Sequence, residues 1–116
     1  MLDHPIIIDL ASQTGQRCAV LPTDFAQKMQ RRLRRKFKVK LELDTIVHIA
    51  ENQIAIYRFA ASVLRECLIP NNDQYASLNH LDDAKFMAKL AAQFPAEPPE
   101  ILNEIAHWVI QCEYLR

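Results

Sequence analysis

Eight of the 14 basic residues lie between positions 28 and 40: Lys28, Arg31, Arg32, Arg34, Arg35, Lys36, Lys38 and Lys40. Only Asp24 and Glu42 flank them. Like charges at helical neighbours repel by a few tenths of a kcal/mol per pair, so such a cluster calls for an anionic partner. Arginine offers phosphate two parallel N–H donors, and cations on a duplex displace condensed counterions. The chemistry implied is capture of a polyanion. Gln27 and Gln30, interleaved with the cations, could add contacts to bases or backbone. The competing readings are a face neutralised by the chain's own acidic half, one that docks on an acidic protein, and one that meets an acidic membrane surface.

Catalytic signals are weaker. Glu104 and His107 form a Glu-x-x-His pair on one helical face, a spacing that di-iron bundles use twice with two further glutamates. The other such pair here, His48 and Glu51, is reversed. His80, Asp82 and Asp83 read as a helix start, where acidic groups favour the dipole. Ser12 and Ser62 lack an elbow motif, and no histidine neighbours Cys18. A single glycine leaves no glycine-rich phosphate cradle. The expectation is a non-enzyme without metal or cofactor.

The elements that position these residues follow from periodicity. Phe25, Met29, Leu33 and Phe37 recur every fourth residue, which predicts a helix capped by Thr23 or Asp24, its cations on the opposite arc. Residues 37–44 alternate with a period of two, consistent with a strand or a connector. A long helix follows over about 45–68, apolar on nearly all sides and therefore central. Pro70 and Asn71-Asn72-Asp73 end it, and Asn79 caps a helix over 80–94 with Leu81, Ala84, Met87, Ala88, Leu90 and Ala91 inward. Pro98 and Pro99 open a last helix with Ile101, Leu102, Ile105, Trp108, Val109, Cys112 and Leu115 on its apolar face.

At the N-terminus, Ile6–Leu10 and Arg17–Leu21 read as short strands around the turn-rich Ser12–Gln16, giving a hairpin or extended arm. A short strand at Arg17–Leu21, then Pro22 and a helix with four-residue apolar spacing, resembles ribbon-helix-helix DNA binders in outline. That resemblance would place Arg17 on a groove-reading ribbon. The connector over 37–44 and the long second helix depart from that pattern.

The chain has 116 residues, half of them hydrophobic, which fits one domain over 1–116 with an arm at 1–22 and a helical body at 23–116. The expected fold is mainly α: a compact bundle of about four helices around a long central one. Net charge is zero but polarised, with ten basic and six acidic residues in 1–60 against four and eight in 61–116. Cys18, Cys67 and Cys112 form no CxxC pair and read as scattered thiols of a reducing cytoplasm. No apolar run is long enough to span a bilayer, and the start of the chain carries no basic leader. The functional expectation is a small non-catalytic nucleic-acid-binding accessory protein, DNA-associated, that grips the phosphate backbone with its basic amphipathic helix. The alternative is a helical adaptor, inhibitor, chaperone or immunity-type protein docking on an acidic protein surface. A homodimer, or a subunit of a larger complex, is the expected assembly.

Overall fold

The computed structural model describes residues 3–69 and 80–114. Five α-helices occupy them: α1 (His4–Gln16), α2 (Phe25–Phe37), α3 (Leu43–Val63), α4 (Asp83–Gln93) and α5 (Pro99–Val109). A 3₁₀ turn (Leu64–Cys67) extends α3, and a π-helical turn (Ile110–Tyr114) extends α5. Two antiparallel two-residue strands, β1 (Leu68–Ile69) and β2 (His80–Leu81), close the end of α3 onto the start of α4. Helix α3 packs against all four other helices. The mainly helical class thus stands, with five α-helices among the described residues.

The N-terminal arm or hairpin does not: residues 4–16 are a helix. Pro5 sits in its first turn, where a missing N–H costs nothing. Ile6, Leu10 and Thr14, spaced by four, are buried with Asp9, Ala11 and Gly15. Burial of that face outweighs the strand preference of Ile6-Ile7-Ile8. The ribbon-helix-helix outline falls with it, because residues 17–19 are a turn and 20–21 carry no regular element, so there is no strand.

Gly15 stands inside α1, at a helix crossing. A Cβ there would overlap the Trp108 side chain, so glycine lets α1 and α5 approach. Helix α1 then ends in a Schellman turn. Ala19 N–H donates to Thr14 O at 3.1 Å and Cys18 N–H to Gly15 O at 2.8 Å. Cys18 takes the left-handed position that usually holds glycine, with φ 52°, and Ala19 follows at 62°.

Helix α2 buries Phe25, Met29 and Leu33 as its spacing predicts. Its N-cap residue is Asp24, whose side chain makes no capping bond and instead meets Lys28 at 3.3 Å. Residues 38–42 are a connector. Lys38 ends α2 in the left-handed region, φ 59°, its N–H donating to Arg34 O at 3.1 Å. Leu41 is buried, and Gln30 Nε2 donates to Leu41 O at 2.8 Å.

The core has two parts joined through α1 and α3. Ile6, Leu10, Phe25, Met29, Leu33, Ile46 and Ala50 form one. Ala11, Ile56, Ala60, Phe86, Leu90, Ile105 and Val109 belong to the other. Gln53, 2% exposed, ties the layers, donating to Ile7 O at 3.1 Å while Thr14 Oγ1 lies 3.5 Å from its Oε1.

Asp82 caps α4, its Oδ1 accepting from Lys85 N–H at 3.1 Å. Asn79, Pro70–Asp73 and Leu115 lie outside the described residues. The inward face of α4 is rotated from the predicted one: Phe86 and Leu90 are buried, while Ala84, Ala88 and Ala91 are exposed. Burial of the Phe86 ring together with Leu90, four residues on, sets the face that α4 turns inward. Among the described residues, no helix is long and apolar enough to cross a membrane.

Candidate nucleic-acid interface

Burial of Phe25, Met29 and Leu33 fixes which cations of α2 face solvent. At 3.6 residues per turn, Gln27, Lys28, Arg31, Arg34 and Arg35 fall on the far arc, and all five are exposed. Lys38 and Lys40 carry the row into the connector, also exposed. From Lys28 to Lys38 the ridge runs about 15 Å at 1.5 Å per residue. Among the described residues, Arg31, Arg34, Arg35, Lys38 and Lys40 form no ion pair. Lys28 meets Asp24, and both side chains are more than half exposed, so water screens that pair.

Arg32 and Lys36 differ, because they lie on the side of α2 that faces α1. Arg32 Nε and Nη2 donate to the two oxygens of Asp9 at 2.8 and 2.9 Å, and Lys36 Nζ reaches Asp9 Oδ1 at 3.0 Å. Asp9 is 7% exposed. The Arg32 hydrogen bonds hold its carboxyl below the ordinary carboxylate value, against the opposing pull of burial, and Lys36 adds to the lowering. The same bonds raise Arg32. The counter-charge expected from the acidic C-terminal half is instead supplied by α1. Asp9 was missed because its segment reads as a strand and lies 23 residues from Arg32.

The interleaved glutamines divide in the same way. Gln27 faces solvent with the cations, whereas Gln30 holds the connector through Leu41 O.

Glu104 and His107 have structural partners. Glu104 Oε1 accepts from Trp108 Nε1 at 3.0 Å, and the His107 ring stands edge-on to Trp108. Among the described residues, no group of three or more His, Cys, Asp or Glu could hold a metal ion. A cleft of about 320 Å³ opens between α1, α3 and the start of α5, with His4, His48, Asn52 and Glu97 beside Ile7 and Ile101. Asn52 Nδ2 donates to Glu97 Oε1 across it at 3.0 Å.

The three cysteines are not all free thiols. Cys18 and Cys112 form a disulfide that joins the end of α1 to the π-helical turn, with Cα atoms 5.8 Å apart. Cys67 is the free one, buried in the core, and burial pushes its thiol up.

These features place the chain among mainly helical proteins that carry one exposed cationic ridge. No known family model matches it, and comparisons with curated proteins and with solved structures found no match.

Proposed function

We propose that this protein is a small non-catalytic nucleic-acid-binding accessory protein that lays the ridge of α2 along a phosphate backbone. Lys28, Arg31, Arg34, Arg35, Lys38 and Lys40 are the contacts. Arg32 and Lys36 act from behind, joining α2 to α1 through Asp9. The observation that carries the reading is the sorting of the cations: Arg32 and Lys36, beside α1, share a buried carboxylate, while among the described residues the outward arginines pair with none. A ridge of unpaired arginines stores like-charge repulsion that a phosphate strand relieves.

The test is a salt titration of binding to duplex DNA, single-stranded DNA and RNA. Six phosphate contacts to a duplex give log affinity against log salt a slope of about −5, and replacing Arg31, Arg34 and Arg35 by Ala brings it to about −2.5. These exposed positions leave the melting temperature nearly unchanged. Binding that ignores salt, or that survives the triple substitution, overturns the reading. An acidic protein partner is the second reading, favoured if a stoichiometric complex forms with an acidic protein while all three nucleic acids fail to bind. The apolar side chains of Leu43 and Val47, 36% and 41% exposed on α3, are where a second copy or a larger complex would seat.

A further inference from the structure

We propose that Cys18 and Cys112 form a thiol–disulfide exchange site, a clasp that small-molecule thiols such as glutathione open at the Cys18 sulfur and small-molecule disulfides close. The proposal is independent of the nucleic-acid reading and rests on where each sulfur sits.

Cys18 is at the surface end of the clasp, half-buried in the turn after α1 and followed by the exposed Val20. Cys112 is 7% exposed, packed under that turn. An incoming thiolate therefore meets the Cys18 sulfur. A bond forms between the two, the Cys18–Cys112 bond breaks, and the pair of electrons leaves on Cys112 sulfur, which takes a proton from water. A second small thiolate attacks the mixed disulfide and releases Cys18, so two thiols become one small disulfide while the clasp gains two electrons and two protons.

The reduced form has a prepared resting place. Cys112 Sγ lies 3.5 Å from Gly15 O, within the reach of a sulfur–oxygen hydrogen bond, so the new thiol has an acceptor. The reduced form also has a reason to move. Cys18 and Ala19 both hold left-handed backbone angles without being glycine, a conformation that surrounding structure must enforce. The covalent tie to Cys112 is part of that enforcement, and once it opens the turn is held by hydrogen bonds such as the Schellman pair and Val20 N–H to Arg17 O at 2.9 Å, without a covalent link. Arg17 carries the effect toward α2, since its guanidinium lies 5.5 Å over the Phe25 ring.

Cys67 stays out of the exchange. It is 1% exposed and burial keeps its thiol protonated, so it offers little thiolate to attack the clasp.

The experiment incubates the full chain in glutathione buffers from oxidised to reduced, approached from both ends, then alkylates free thiols after denaturation and counts them by mass. One alkylated cysteine, Cys67, is expected at the oxidised end and three at the reduced end, with the same mixture from either direction. A glutathione adduct is expected on Cys18 in between. The reduced chain melts about 10–20 °C lower, since the tie closes a 94-residue loop. Three free thiols at every ratio overturn the clasp. A bond that no ratio opens in the folded chain overturns its reversibility, and an adduct on Cys112 overturns the direction of attack. A pair of variants tests the turn without needing the bond: Cys18→Gly melts above Cys18→Ser, because glycine takes the left-handed position freely. Equal melting of the two removes the conformational part.

Discussion

Arg32 and Asp9 meet through two parallel hydrogen bonds of 2.8 and 2.9 Å, the geometry by which a guanidinium would grip a phosphate. The chain thus uses one arginine internally in the manner proposed for its neighbours externally. Asp9 is the point where helix packing and the placement of the cationic ridge are decided together.

Asp9 makes stability depend on acid. Its folded value lies below the ordinary 3.8, so the unfolded chain binds more protons between the two. The stabilisation from Asp9 and its two cations is complete well above pH 3.8 and is lost as pH falls through the folded value. Asp9→Asn removes that contribution, costing about 1.5–3 kcal/mol at pH 7 for a charged hydrogen-bonded group. Urea unfolding from pH 7 to 2.5 checks this: the native chain and the variant should converge in stability as acid is added. A constant gap down to pH 2.5 contradicts the assignment.

Gly15→Ala separates two rules of opposite sign. Helix propensity alone makes alanine more stable than glycine by about 1 kcal/mol. Here the added methyl would enter the Trp108 side chain, and overpacking costs about 1–3 kcal/mol. The melting temperature should fall, and Trp108 fluorescence should shift as the indole is displaced. A rise would show that α1 and α5 are not in contact at this point.

Lys38→Gly should stabilise the fold and weaken polyanion binding together. Glycine at the left-handed end of α2 relieves a cost of about 1–2 kcal/mol carried by a side chain there. Loss of one phosphate contact lowers the steepness of the salt dependence by about one. Denaturant unfolding and the salt titration, run on the same variant, read the two effects. Stability that falls contradicts the observed backbone angle.

The amino-acid sequence by itself determined the helices whose apolar residues repeat without interruption. Phe25–Met29–Leu33 set α2 and its cationic outer arc, and the spacing of Ile101, Ile105 and Val109 set α5, because burying such stripes requires helix whatever lies opposite. The tertiary structure decided the rest. Residues 4–16 carry β-branched and turn-forming side chains whose local preferences oppose a helix, and only α2, α3 and α5 supply the surface that reverses them. Gly15 reads as a turn until Trp108 is placed against it. Asp9 and Cys18 acquire their roles from Arg32 and from Cys112, a partner 94 positions away, and no local pattern encodes such long-range contacts.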